Sequence, residues 1–477
     1  MDLRKYAINY DSAIEKWDEA LPLGNGKMGC LIYGKGPIRL SLDRVDLWDT
    51  RPHPNTLEKA FNYKNLVKYS TSGKEEDWAE RARLFEIVYG GNPYPSKITA
   101  GRLELDFGKE TENIRSHIDL KTAIANVAIE NGALGSIQSF MSATRFVGVA
   151  KVYGKYTLNI HIPDYISGAP DESALTAQAN KKGLYYPRAE IVRDGEFIYY
   201  AQETFTELRY GVIALEKQCG DHTELYFTIV TNADYENFIE GGKAELEKAY
   251  ALGFETLKKE HIAWWKRYWK TSELNVGDEL IERTYYRSWY LFASCSRKGF
   301  YPMPLQGVWT ADNDCLPPWK GDYHHDTNTQ LSYQAFLKAN RMDEGRVFID
   351  YLWKLRGQFR KVAREFYGVK GLIIPGVSTI DGKPMGGWSQ YALSPTMSIW
   401  SAQSFDEYYL YTDDIKFLKE RAYPFLKDVG DAIYGLLEER NGKLYLPLST
   451  SPEIHDANPE AYLTPNSNFD LALMIYL

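Results

Sequence analysis

A glutamate follows a proline in a loop rich in serine and threonine, in the run STSPE at residues 449–453. Cleavage of a glycosidic bond needs one protonated carboxyl group, which donates to the leaving oxygen, and a second group that handles water. Partial burial of Glu453 by its own loop and by Tyr445 would favour the protonated form. Glu453 is therefore a candidate proton donor, and the alternative is a solvated loop glutamate without a catalytic role.

A second group of polar and aromatic residues lies within 309–330, just before a predicted helix. Its members are Trp309, Asp312, Asp314, Trp319, Asp322, Tyr323, His324, His325, Asp326, Asn328 and Gln330. Either Asn328 or Asp326 could serve simply as the N-cap of that helix. A cap alone leaves the histidine pair and the tryptophans unexplained, so we interpret the group as part of a polar site.

A metal site is a weaker interpretation of the same residues. His324, His325 and Asp326 are adjacent in sequence, so their side chains diverge unless the loop bends. Spaced ligands are the usual signature of a metal site. We therefore predict neither a metal nor a cofactor.

The elements that must position these groups change type along the chain. Residues 1–240 consist mainly of short runs of β-forming residues separated by Gly, Asn and Asp turns, which predicts a sandwich or barrel. A charged stretch near 74–88 interrupts this pattern and is predicted to be helical. Residues 241–278 are predicted to be a helical linker, because Phe254, Leu257, His261, Trp265 and Tyr268 recur at helical spacing.

Helical periodicity dominates residues 279–477, for which about six helices are expected. The patterns that mark three of these helices are Ile281, Tyr285, Trp289 and Phe292; Phe348, Leu352, Leu355, Phe359, Val362 and Phe366; and Leu418, Ala422, Phe425 and Val429 after the capping residues Asp413 and Asp414. Three long loops, 300–326, 368–396 and 441–468, separate the helices. Long loops in a compact domain are usually functional, and these three are expected at one end of an (α/α) barrel.

Composition excludes several classes of protein. A net charge of −8 argues against nucleic-acid binding, and no apolar run reaches the roughly 18 residues of a membrane span. No apolar stretch follows the basic pair at residues 4–5, so no secretory signal is predicted. The four cysteines lack metal-type spacing and suit free thiols in the cytoplasm. An aromatic content of 14% suits stacking on sugars.

Six motifs in order along the chain resemble glycoside hydrolase family 95, the α-L-fucosidase-type enzymes. They are WDEALPLGNGKMG at 17–29, LSLD through LW at 40–48, HIDLKTA at 117–123, SCSR followed by LQGVW at 294–309, NTQ at 328–330 and SPE at 451–453. Each motif is weak alone, but six at compatible spacings are specific together.

The resemblance implies a β-super-sandwich, a helical linker and an (α/α)6 barrel that hydrolyses terminal α-L-fucosyl residues of oligosaccharides or glycoconjugates with inversion. Glu453 matches the general acid of the family. Asn328 matches one of two asparagines that position the attacking water. The second of these asparagines falls at Asp326, and a carboxylate there would itself suit a catalytic base.

The same resemblance leaves the sugar open. The His324-His325 pair and Ser332 also depart from the family pattern, so α-L-galactosides are a natural alternative substrate. The predicted sugar-contacting residues are His324, His325, Trp309, Trp319, Gln306 and Trp388. A phosphorylase of similar architecture and an inactive sugar-binding relative remain alternatives. Lys320 is the single lysine within 320–330, which gives little support to a phosphate site.

The chain is expected to hold only part of the barrel. An (α/α)6 barrel needs about twelve helices, and the apolar run 471–477 ends without a C-cap signal. On this expectation residues 1–477 alone would be poorly soluble and inactive, because the inner faces of the helices would be exposed.

Overall fold

The computed structural model describes residues 3–90, 92–166, 183–313, 315–456, 458–462 and 466–477. These residues form two compact units. The first comprises Met1–Asp49, Lys97–Pro318 and Ala339–Glu344, and the second comprises Thr50–Ser96, Trp319–Lys338 and Gly345–Leu477. The domain boundaries at residues 240 and 278 remain predictions.

The first unit contains two antiparallel sheets, as the alternating strand pattern predicts. The strands of the larger sheet, in spatial order, are Ile8–Tyr10, Ile114–Asp119, Ile124–Ile129, Gly135–Met141, Gly148–Tyr153, His222–Thr231, Arg209–Cys219, Phe197–Glu203 and Val192–Asp194. Those of the smaller sheet are Thr157–His161, Arg102–Asp106, Ile38–Arg44, Met28–Tyr33 and Leu21–Gly24. The predicted N-terminal β-sandwich is therefore confirmed.

Two helices, Phe238–Leu252 and Phe254–Trp269, follow the sandwich strands. Their apolar side chains pack with those of the larger sheet in one core, which includes Leu215, Tyr226 and Leu257. Every position of the predicted linker-helix stripe is buried. The helical linker is thus present where the periodicity predicts it.

The predicted apolar face of the next helix, Glu279–Cys295, is buried only in its second half, at Trp289 and Phe292. Ile281 is exposed, whereas Glu282 is buried. The Glu282 carboxylate accepts hydrogen bonds from the Tyr6 hydroxyl and from the backbone amides of Val276 and Gly277. A polar group that has such partners can be buried at low cost, which hydrophobic periodicity cannot reveal.

The second unit is mainly helical. Its helices include Tyr63–Thr71, Glu75–Arg81 and Ile87–Gly90 joined by a π turn, Asn328–Gln334, Met342–Val362, Ser389–Ala392, Met397–Thr412, Ile415–Phe417 and Tyr423–Leu436 joined by another π turn, and Asn468–Tyr476. The charged stretch near 74–88 is helical as predicted. Asp414 caps its helix through the Phe417 amide, whereas Asp413 ends the preceding helix with a φ of 51°.

The three long predicted loops meet within the second unit. The short strand Tyr323–His324 pairs with Val377–Ser378, which connects the first loop to the second. The Thr450 hydroxyl donates to the Gln390 carbonyl, which connects the third loop to the second. The apolar core beside these loops includes Tyr89, Tyr391 and Leu446. In the part of the chain that the structure describes, no helix combines the length and apolar character that a membrane crossing requires.

Candidate functional site

The segment Asp322–Asp326 places alternate side chains in two environments. Its backbone is extended at Tyr323–His324, so successive side chains point to opposite faces. His324 Nδ1 donates to Asp322 Oδ1 at 3.0 Å, and His324 Nε2 lies 3.5 Å from Asp326 Oδ1. The Tyr89 hydroxyl donates to the other oxygen of Asp322 at 2.8 Å. One histidine therefore lies between two buried carboxylates, and a tyrosine fixes the orientation of the first.

Electrostatics divide the roles of these groups. Burial lowers the pKa of His324, but the Asp322 carboxylate outweighs burial, and the pKa rises to about 9. Burial raises the pKa of Asp326, the His324 cation lowers it, and the charge of Glu453 raises it further, so that the net direction is upward. The influence of Glu453 means that the two carboxyl groups predicted to be catalytic lie within electrostatic range of each other.

His325 belongs to the opposite face of the same segment. Its ring lies between Tyr323, at 6.2 Å, and Phe348, at 6.0 Å between centroids. Both ring nitrogens are buried without a hydrogen-bond partner, and burial lowers the pKa of His325 to about 3. His325 is therefore a neutral packing residue in this structure, unlike His324.

An aromatic wall stands beside His324. The Tyr391 ring lies 5.5 Å from the His324 ring, and Trp388 stacks on Tyr391 with an interplanar angle of 12°. The Tyr89 ring meets Trp388 edge-on at 4.9 Å. Trp388 and Trp319 are half-buried and pack against the apolar core of the second unit. Trp388 thus places its indole ring against Tyr391, which in turn lies beside His324, the residue between the Asp322 and Asp326 carboxylates.

The turn before Trp388 depends on two glycines. A Cβ at Gly386 would lie 2.2 Å from Val88 Cγ2, and a Cβ at Gly387 would lie 2.6 Å from the Tyr89 Cβ. Both glycines have a positive φ, which side-chain-bearing residues rarely adopt. The short helix Ile87–Gly90 therefore packs closely against the segment that leads to Trp388.

A buried arginine completes that support. Arg81 donates to the Ser389 hydroxyl and to Glu86, each at 2.7 Å. Glu86 accepts from the Ser389 backbone amide at 3.1 Å. The charged helix Glu75–Arg81, to which the sequence analysis assigns no function, therefore positions the start of the Ser389–Ala392 helix through Arg81.

The Glu453 loop is anchored at its base by Asp470. This buried carboxylate accepts from the Ser449 hydroxyl at 2.6 Å, from the Thr450 amide at 3.1 Å and from the Thr396 hydroxyl at 2.5 Å. Burial raises the pKa of Asp470, while these donors lower it. The anchor fixes residues 449–450, three residues before Glu453.

Glu453 itself is exposed, with a φ of 59°. The partial burial expected from its loop and Tyr445 is therefore not observed. Asn328 is also exposed and begins the helix Asn328–Gln334. The N-cap of that helix is Thr327, without a side-chain hydrogen bond, so neither Asn328 nor Asp326 is a simple cap. Their catalytic roles remain predictions.

Two further predicted residues belong to the first unit. Trp309 donates from Nε1 to the Leu23 carbonyl at 2.8 Å. Gln306 is half-buried, and its side-chain oxygen is buried without a hydrogen-bond partner. Asp314 lies outside the described residues.

Sequence reasoning missed several residues that this site uses. Asp322 was part of the polar group without a role, and Tyr89, Tyr391, Arg81 and Asp470 were not candidates. The signal for Asp322 is that Asp322, His324 and Asp326 follow one another at two-residue spacing, which in an extended segment places all three on one face. The others are distant in sequence and reach the site through tertiary contacts alone.

Comparisons with known proteins place these residues in a family context. Residues 233–476 match the family model of the glycosyl hydrolase family 95 catalytic domain. Residues 8–187 match the model of the N-terminal domain of glycosyl hydrolase family 65.

Two curated relatives resemble nearly the whole chain. Alpha-L-fucosidase 2 of Arabidopsis thaliana is 24% identical over 99% of this chain and 64% of its own length. Probable alpha-fucosidase A of Aspergillus niger is 22% identical over 93% of this chain and 62% of its own length. The chain thus spans less than two thirds of either relative.

A solved structure has the same fold. A putative kojibiose phosphorylase from the human microbiome superposes with a TM-score of 0.69 at 11% identity, over 99% of this chain and 63% of that one. At such low identity the likeness concerns architecture and carries no information on the reaction.

Proposed function

Because the chain belongs to glycosyl hydrolase family 95, we propose that it is an inverting glycosidase that removes terminal α-L-fucosyl, or closely related α-L-galactosyl, residues from oligosaccharides or glycoconjugates. The observation that carries this proposal is the Asp322–His324–Asp326 arrangement beside the aromatic wall of Tyr391 and Trp388. The relatives with fucosidase names support the choice of sugar.

In this mechanism Glu453 is the general acid. Its carboxyl proton passes to the glycosidic oxygen as the bond from that oxygen to the anomeric carbon breaks. Exposure of Glu453 gives a bulky leaving group access to it. The anchored residues before it keep the carboxyl group in one region of the second unit.

Asp326 is the general base, and Asn328 helps to orient the water. Asp326 takes a proton from the water while the water oxygen bonds to the anomeric carbon from the face opposite the leaving group, which inverts its configuration. Burial raises the pKa of Asp326, and the His324 cation opposes that rise and so favours the ionised base. Asp322 and Tyr89 in turn keep His324 oriented. This chain of contacts gives a base at the position where the family pattern has an asparagine.

The sugar is proposed to stack on Trp388, and His324 remains a proposed sugar contact. Trp319, Gln306 and Trp309 remain proposed sugar contacts. His325 supports the site through the ring stack with Tyr323 and Phe348.

Hydrolysis is favoured over phosphorolysis by the position of Lys320. Its ammonium group is buried and donates to the Asn92 carbonyl at 2.7 Å. Burial lowers the pKa of Lys320 to about 7. A lysine held in this way is a poor phosphate ligand, since it is committed to the protein and only partly charged.

The proposal also includes a cytoplasmic location. All four cysteines are free, which suits a reducing compartment.

The test of the acid compares Glu453→Gln with the wild type, both as the full-length protein, on nitrophenyl α-L-fucoside, nitrophenyl α-L-galactoside and a 2′-fucosylated oligosaccharide. We expect turnover of the oligosaccharide to fall by roughly a hundredfold or more, because acid catalysis has that value for a poor leaving group. The activated nitrophenyl substrate should suffer less. Glu460→Gln, at an exposed glutamate nearby, is the matched control. Near-normal oligosaccharide turnover by Glu453→Gln would remove Glu453 from the role.

A further inference from the structure

A cysteine, a histidine and a glutamate come together at one end of the larger sheet, far from the candidate site in sequence. Cys219 ends the strand Arg209–Cys219, and His222 begins the next strand, where the two residues are direct cross-strand partners. Glu224 lies two residues beyond His222, on the same face of the strand. One ligand atom from each of the three lies within 4.8 Å of the others.

The geometry within this group approaches that of a tetrahedral zinc site. His222 Nε2 lies 3.7 Å from Glu224 Oε1. Two ligand atoms on a tetrahedral zinc ion, with bonds of about 2.1 Å, are about 3.4 Å apart. The spacing of this pair differs from the zinc value by a few tenths of an ångström, and Cys219 Sγ lies within 4.8 Å of a ligand atom of each residue.

The side chains of His222 and Glu224 are each oriented by a hydrogen bond to a neighbouring residue. His222 Nδ1 donates to Asp221 Oδ1 at 3.0 Å, which leaves Nε2 directed at Glu224. The Tyr226 hydroxyl donates to Glu224 Oε2 at 2.5 Å, which leaves Oε1 directed at His222. Metal-binding histidines characteristically donate their second nitrogen to a carboxylate, and metal-binding carboxylates are themselves hydrogen-bonded.

The neighbouring cations leave Glu224 available. Lys151 and Lys217 are its cross-strand partners on either side. Lys151 forms an ion pair with Glu255 at 2.8 Å, and Lys217 forms one with Glu196. The three ligands are partly buried, so the site is shielded and still open to an ion from solution.

We propose that Cys219, His222 and Glu224 bind a zinc ion, with water as the fourth ligand. A thiolate, an imidazole and a carboxylate form a donor set that zinc accepts and that magnesium or calcium does not. The ion would fasten the end of this hairpin and leave the chemistry of the second unit unchanged. Cysteine spacing alone does not reveal the site, because its other two ligands are a histidine and a glutamate.

The test titrates chelator-treated protein with Co²⁺, whose bond to a thiolate gives a charge-transfer absorption band, and then with Zn²⁺ in competition. Wild type should bind one equivalent and show the band. Cys219→Ser should lose the band, and Zn²⁺ affinity should fall by roughly a hundredfold in Cys219→Ser and His222→Gln. Asp221→Asn should weaken binding by about tenfold, because it removes only an outer partner.

His117→Gln is the matched control, since His117 lies on another strand of the same sheet. It should bind metal as the wild type does. Circular dichroism verifies that each variant is folded, and addition of Zn²⁺ should raise the unfolding temperature of the wild type but not that of Cys219→Ser. A wild type without the band, or variants at Cys219 and His222 that keep wild-type Zn²⁺ affinity, would overturn the proposal. Glycosidase activity should be the same in Cys219→Ser and wild type, so this test is independent of the proposed function.

Discussion

In the proposed mechanism, the charge state of a single histidine controls the candidate base. His324 lies between Asp322 and Asp326 and has a pKa raised to about 9. Its cation opposes the tendency of burial to protonate Asp326. A buried carboxylate without such a partner would be a poor base at neutral pH, because burial favours its uncharged form.

A pH prediction follows from this pair. The pKa of His324 in the folded protein is raised above its ordinary value of about 6.5. The stability contributed by this interaction is therefore complete below that value and is lost as the pH rises through about 9. The kcat/KM of the wild type should fall through the same range, because the base loses the cation that holds it in place.

Asp322→Asn should move that basic limb to lower pH, since Asp322 is the main group that raises the pKa of His324. Tyr89→Phe keeps the ring and removes only the hydrogen bond to Asp322. The pH at which its kcat/KM falls on the basic side should therefore move less. The measurement is kcat/KM against pH for the three proteins on nitrophenyl α-L-fucoside. An identical basic limb in Asp322→Asn and wild type would contradict the role of His324.

At the scale of elements, the loop that carries Glu453 depends on a residue of the final helix. Asp470 accepts three hydrogen bonds that fix Ser449, Thr450 and Thr396. It is fully buried, so loss of its charge cannot be compensated by water.

Asp470→Asn should destabilise the protein by about 2 kcal/mol, the usual value for hydrogen bonds to a buried charged group. Turnover of the fucosylated oligosaccharide should fall by roughly tenfold to a hundredfold, because a small displacement of a catalytic group has that effect. The activated nitrophenyl substrate should be less affected, which distinguishes a displaced acid from general instability. Asp406→Asn, at a more exposed carboxylate bonded to Tyr476, is the control. Equal losses on both substrates would contradict the positioning role.

A second prediction at this scale concerns the turn before Trp388. Gly386→Ala should destabilise the protein by about 1–3 kcal/mol, because its Cβ would overlap Val88 and its φ is 70°. Its kcat/KM should fall as Trp388 moves.

Gly357→Ala is the matched control. That glycine lies inside the helix Met342–Val362 with no atom within 4 Å of an added Cβ, so alanine there should stabilise by about 0.5–1 kcal/mol. Urea unfolding followed by circular dichroism measures both, and a neutral Gly386→Ala would show that the turn tolerates repacking.

The sequence predicted these elements better than their neighbours. Strand alternation and helical periodicity are local, so the sandwich strands, the linker helix and the helical stretch near 74–88 were predictable. The burial of Glu282 in the helix Glu279–Cys295 was not, because it depends on partners that include Tyr6, near the N-terminus. The site divides in the same way. Its Asp322–Asp326 segment is visible in the sequence, whereas the supports at Tyr89, Arg81 and Asp470 arise only from the fold.

At the scale of the whole molecule, architecture alone does not select the reaction. The same sandwich and helical arrangement occurs in a structure named as a phosphorylase, while the family model and the curated relatives concern glycosidases and fucosidases. The choice depends on what attacks the anomeric carbon. In the proposed mechanism Asp326 beside His324 activates water, and the buried Lys320 is poorly placed to bind phosphate.

The most direct test follows the first-formed product by proton NMR while the enzyme acts on an α-L-fucoside in the presence of inorganic phosphate. We expect free β-L-fucose to appear first and then to equilibrate with the α anomer, because water attacks from the face opposite the leaving group. Initial release of α-L-fucose would contradict inversion, and release of fucose phosphate would contradict hydrolysis.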